Sequence, residues 1–161
     1  GQNVLILGAG GKSGMLVAGE AMKRVGPTGR VVGNVFLPED AATLRDLGLC
    51  HEVVVADATK PVALMDAVLA ANGGAEYDVV FNCVNVQNTE MSSILPCRPE
   101  GTVYFFSMAT HFGKAALGAE GVGKDVTMIV GNGYTKGHAE ITLAELRENA
   151  KLRRLFETRY V

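Results

Sequence analysis

The stretch from Val4 to Gly14 constrains this chain more than any other. An unbroken apolar run, Val4-Leu5-Ile6-Leu7, empties directly into Gly8-Ala9-Gly10-Gly11-Lys12-Ser13-Gly14, and helix-period sequence follows to about Val25. Strand, glycine turn and helix in that order form a βα unit whose turn gathers backbone N–H groups at one point. Which phosphate such a turn holds decides what the chain can do.

Two motifs overlap there. Gly11-Lys12-Ser13 looks like the end of a Walker A loop, which needs a glycine five residues before its Gly-Lys-Ser so that the chain can wrap round a phosphate. That position is Ile6, inside the strand. The wrap cannot form, and ATP chemistry is set aside. The dinucleotide pattern fits better. Gly8 permits the turn out of the strand, Gly10 and Gly11 let the backbone approach a pyrophosphate, and Gly14 lets the helix lie close to the sheet. The helix start adds free N–H groups and the positive end of its dipole. Lys12 and Ser13 are candidate phosphate contacts, with simple solvation as the alternative.

The remaining sequence repeats the alternation. Residues 30–37, 51–56, 78–83, 102–107 and 126–130 read as further strands, and 41–47, 61–71 and 89–95 as helices between them. The tail, 138–156, reads as one helix with an apolar stripe at Ile141, Leu143, Leu146, Leu152 and Leu155. Strands that are apolar throughout belong in a parallel sheet covered on both faces. The expectation is a single α/β domain over 1–161, a doubly wound parallel six-stranded sheet of the Rossmann type. A content of 48% hydrophobic residues with 20 glycines suits that class.

In such folds an acid near the tip of the second strand holds the adenosine ribose and selects NAD. This strand carries none. Glu39 and Asp40 follow Pro38 and stand equally as ribose ligands or as helix N-cap residues. Arg45 could approach a 2′-phosphate, though an outward helical arginine is usually just solvated. The expected cofactor is NAD or NADP, with NAD favoured. Asp57 ends the third strand beside the expected adenine pocket, or makes a turn before Pro61. Asn82 and Asn85, Ser107 and Asn132 close strands four, five and six at the edge that faces ligands in these sheets.

No catalytic residue stands out. His51, His111 and His138 do not pair with cysteine at zinc-ligand spacing, and Cys50 beside His51 is a chance neighbour, so no metal is expected. Tyr134-Thr135-Lys136 lacks the spacing of a Tyr-x-x-x-Lys pair. A net charge of -2 gives no footprint for nucleic acid. Apolar runs are too short for a bilayer span, and no signal peptide is visible. Three widely spaced cysteines read as reduced thiols in a cytoplasmic protein. A chain opening at Gly1 rather than at methionine is read as a fragment, the expected C-terminal part of a longer two-domain enzyme.

The layout resembles the nucleotide-binding domain of medium-chain, alcohol-dehydrogenase-like oxidoreductases. "VLILGAGGKSGM", "LGLCHEVVVADAT", "FNCVN" with "TEMSSIL", and the long "GTVYFFSMATHFGKAALGAEGVGKDVTMIVGNGYTKGHAEITL" are similar to the L-erythro-3,5-diaminohexanoate dehydrogenase family of lysine fermentation. That resemblance implies NAD(P)-dependent oxidative deamination of 3,5-diaminohexanoate to 5-amino-3-oxohexanoate and ammonia. It also implies an N-terminal domain, outside this sequence, that supplies the pocket for a small amino-acid-like substrate. A homodimer is a further expectation. A free-standing dinucleotide-sensing module without chemistry is the alternative reading.

Overall fold

The computed structural model describes residues 1–131 and 134–161. Among them, parallel strands β1 (Asn3–Leu7), β2 (Arg30–Val35), β3 (Glu52–Val55), β4 (Tyr77–Asn82), β5 (Cys97–Phe105) and β6 (Thr127–Val130) form one sheet in the order β3-β2-β1-β4-β5-β6. Helices α1 (Lys12–Arg24), α2 (Pro38–Leu47), α3 (Pro61–Ala71), α4 (Glu90–Ile94), α5 (Phe112–Gly121), α6 (His138–Glu148) and α7 (Ala150–Tyr160) complete the chain. Winding runs outward in opposite directions from β1 and β4, so the loops leaving those two strands part and open a crevice at the carboxyl edge.

The apolar strands are explained by two cores, one on each face. Neighbouring residues of a strand point to opposite sides. In β1, Val4 and Ile6 join Met15, Val31 and Leu44 on one face, while Leu5 and Leu7 join Leu64, Val80 and Val103 on the other. Leu5, Ile6 and Leu7 are wholly inaccessible. Burying each such side chain is worth about 1.5–3 kcal/mol, so a polar substitution in β1 would be among the most damaging in the chain.

Several boundaries differ from the sequence reading, each for a local reason. β2 stops at Val35, and α2 opens at Pro38 with Leu37 as its N-cap; proline suits the first helical position because its missing N–H has no partner there anyway. Glu39 and Asp40 therefore lie in the first turn of α2, and neither caps it. β5 begins at Cys97, with a register irregularity between Tyr77 and Val79 on its neighbour. α5 had no counterpart in the sequence reading. The tail is two helices, because Asn149 takes an extended conformation and accepts from the Leu152 N–H at 2.9 Å, capping α7. That turn sends Leu152 and Phe156 into the core, while Ile141 and Leu143 of α6 stay half exposed.

Candidate dinucleotide cleft

The crevice is a cleft of about 860 Å³, lined from the glycine turn, the ends of β2 and β3, and the loops after β4 and β5. Gly8 turns the chain out of β1 at φ +73°, a conformation that side chains disfavour. α1 then starts at Lys12 with Gly11 as its N-cap, and no side chain caps it. The first-turn N–H groups of a helix have no helical acceptors, so an anion at this point meets donors and the positive dipole end together.

The other glycines serve different purposes. A Cβ on Gly14 would overlap the Gly8 carbonyl oxygen and lie 2.7 Å from Ala9 Cα, so only glycine lets α1 close on its own turn. A Cβ on Gly10 would come within 2.9 Å of Asp40 Cβ, so this glycine admits the α2 carboxylate to the turn. A Cβ on Gly11 would make only an ordinary 3.6 Å contact. Its side chain would occupy the cleft rather than the fold.

At the β2–β3 end, Asn34 Nδ2 donates to the Ala56 carbonyl at 3.0 Å and ties the two strand ends together. Asp40 and Asp57 both face the cleft. Asp57 Oδ1 accepts from the Thr59 N–H at 2.8 Å and its hydroxyl at 2.7 Å, and those bonds hold the carboxyl below the usual carboxylate range. Arg45 turns away and donates to the Val53 carbonyl at 3.1 Å. Among the described residues of the lining, Lys12 is the cationic side chain.

At the β4–β5 end the lining comes from Cys83, Val84, Asn85, Val86, Phe106, Ser107 and Met108. Side chains behind it set its shape. Asn82, wholly buried, donates through Nδ2 to the hydroxyls of Thr89 and Ser93, each at 2.9 Å, and accepts at Oδ1 from the Val84 N–H at 3.0 Å. Its backbone carbonyl accepts from Phe106 and Ser107. Glu90, also buried, accepts from the His111 N–H at 2.8 Å, which anchors the loop after β5. Burial pushes the Cys83 thiol up to about 12, so it is neutral.

Of the residues singled out from the sequence, Gly8, Gly10, Gly11, Lys12, Ser13, Gly14, Asp57, Asn85 and Ser107 meet in this one cleft. Two do not. Glu39 is exposed on α2 outside the lining, whereas its neighbour Asp40 is part of it. Asn82 spends its amide on Thr89, Ser93 and Val84 and shapes the cleft from behind. Asn132 lies outside the described residues. Sequence reasoning missed Asn34, Phe106 and Met108; the polar Asn34 amid apolar β2 was the available signal. Among the described residues no group of histidine, cysteine and carboxylate side chains gathers in a metal-holding arrangement, and no helix is long and apolar enough to cross a membrane.

No protein-family model matches the chain. Among solved structures it shares its fold with the nucleotide-binding subdomain of the enoylreductase domain of PpsC from Mycobacterium tuberculosis (TM-score 0.63, 20% identity, 98% of this chain and 81% of that one). Mycobacterial Rv1454c complexed with NADPH also shares it (TM-score 0.60, 18% identity, 99% and 47%). Curated relatives are far nearer in sequence. L-erythro-3,5-diaminohexanoate dehydrogenase of Acetoanaerobium sticklandii is 64% identical over 161 residues, 100% of this chain and 47% of that enzyme. The protein of the same name from Fusobacterium nucleatum is 61% identical over 160 residues, 99% and 46%. The chain spans about half the length of the curated relatives it matches, and over its whole length it is similar to that part of an L-erythro-3,5-diaminohexanoate dehydrogenase.

Proposed function

We propose that the cleft binds a nicotinamide dinucleotide, and that this chain is the cofactor-binding part of a dehydrogenase acting on 3,5-diaminohexanoate. One observation carries the reading. The uncapped N-terminus of α1 opens onto the cleft, packed against a turn that only glycine at position 14 allows, in a chain 64% identical to an enzyme of that name. The residues fit the group, because first-turn N–H donors suit a pyrophosphate and the cleft extends to both sides of them.

The bound cofactor supplies the hydride acceptor for oxidation at the substrate's amine-bearing C3. This chain's own contribution is to hold and orient. Lys12, Ser13 and the α1 start take the pyrophosphate, Asp40 and Asp57 take the adenosine side, and the loops held by Asn82 and Glu90 shape the nicotinamide side. Among the described residues the lining offers no histidine, and its Cys83 thiol is neutral. Substrate recognition and proton transfer are therefore assigned to the remaining length that the relatives possess, as a separate N-terminal domain.

The cofactor reading is sharpened to NAD. Asp40 and Asp57 line the end of the cleft assigned here to the adenosine side, where a 2′-phosphate would add negative charge, and Arg45 is held by the Val53 carbonyl. Like charges at close range disfavour it. Titration of the protein with NADH and NADPH, followed by fluorescence, tests both levels: NADH is expected to bind at least tenfold more tightly, with Asp40→Asn narrowing the gap. Failure of both dinucleotides to bind at millimolar concentration would sink the reading.

A further inference from the structure

Lys12 does not stand alone at the glycine turn. Its ammonium nitrogen lies 4.5 Å from the centroid of the Tyr160 ring, which comes from the last turn of α7. That ring is fixed from behind. Phe156, one turn earlier, meets it edge to face with centroids 5.1 Å apart, and is itself buried in the core that holds Met15 and Ala18 of α1. Leu152, wholly inaccessible, and the Asn149 cap anchor the start of the same helix. A packed path thus leads from the core through Phe156 and Tyr160 to the cation of the cleft.

We infer that Tyr160 is a positioning residue for the dinucleotide site, holding Lys12 over the glycine turn so that its ammonium meets a pyrophosphate already oriented. The inference rests on the dinucleotide reading of the cleft. A lysine fixed by a ligand loses rotamer freedom, which weakens binding. One already seated on an aromatic face has given up part of that freedom beforehand. The ring engages one side of the ammonium, and an ammonium has three N–H donors, so others remain for phosphate oxygens. The Tyr160 hydroxyl has no role in this; the ring face does the work.

The test is an NADH titration of the protein and four variants at low salt, with thermal unfolding recorded for each. Tyr160→Leu is expected to weaken NADH about two- to fivefold, the scale of an exposed cation–π contact. Tyr160→Phe should bind as the parent does, since the ring is kept. Lys12→Met should weaken binding about tenfold and flatten its salt dependence. Adding Tyr160→Leu to Lys12→Met should change nothing more. A purely structural tyrosine would instead weaken NADH by the same factor with or without Lys12→Met, and that result overturns the inference. So does Tyr160→Leu binding NADH as tightly as the parent or more so. A parent protein that binds no NADH overturns the dinucleotide reading itself, an outcome distinct from normal binding that ignores Tyr160.

Discussion

The two ends of the cleft are built by opposite means. At the β1–α1 end the shape is made of backbone: Gly8 turns at positive φ, and Gly14 yields its Cβ so that α1 can touch the turn. At the β4–β5 end the shape is made of buried side chains, with Asn82 and Glu90 gripping two loops through hydrogen bonds. Where backbone packs on backbone, as at Gly14, no atom can be added without moving the fold, whereas a side-chain clamp tolerates no lost one. Substitutions should therefore fail in opposite directions at the two ends.

The largest effect is expected at Gly14. Gly14→Ala places a methyl into the Gly8 carbonyl, where backbone must move, and should cost roughly 4 kcal/mol or more. Chemical denaturation would show a collapsed midpoint, and near-normal stability would break the contrast at once. Gly11→Val comes next and sharpens it, because its Cβ has room. The unfolding midpoint should stay close to the parent's while NADH affinity falls at least a hundredfold, its branched side chain taking the pyrophosphate's space. Normal NADH binding by that variant would mean that the turn has been wrongly placed.

At the other end, Asn82→Ala removes three hydrogen bonds of 2.9–3.0 Å and leaves the Thr89 and Ser93 hydroxyls buried with one partner fewer. A loss of about 2–4 kcal/mol is expected, with faster amide exchange at Val84 as the local readout. The smallest effect concerns Cys83, which lines the cleft but is chemically quiet. Burial disfavours its thiolate, so the group stays protonated from neutral pH up towards about 12. Alkylation by iodoacetamide at pH 8 should be much slower than for a free cysteine, with a pH–rate curve displaced to higher pH; a fast reaction there would show a more open β4–β5 loop than described.

These two ends also differed in how far they could be read in advance. The glycine turn is local, since each glycine acts on residues within a few positions or on one neighbouring helix, and its spacing is visible in the chain. The strands were legible because burial on both faces leaves a continuous apolar run. Asn82 was misjudged because its partners, Thr89 and Ser93, lie on the next helix, and only the packed chain brings them to its amide. Glu39 and Asp40 could not be told apart without knowing that α2 starts at Pro38, which fixes the residue turned towards Gly10. α5 escaped because Gly113 and Gly118 dilute its helical signal. The break at Asn149 was readable, since asparagine is a favoured N-cap. Contact between Lys12 and Tyr160 was not, because nothing in the chain links positions so far apart.

The outermost strand has a practical consequence. Among the described residues β6 pairs with β5 alone and leaves Ile129 and Val130 half uncovered, so its other border is an open sheet edge flanked by apolar side chains. Anyone concentrating this chain by itself should expect self-association to start there. A lysine in place of Ile129 is the simplest guard to try before crystallisation or spectroscopy.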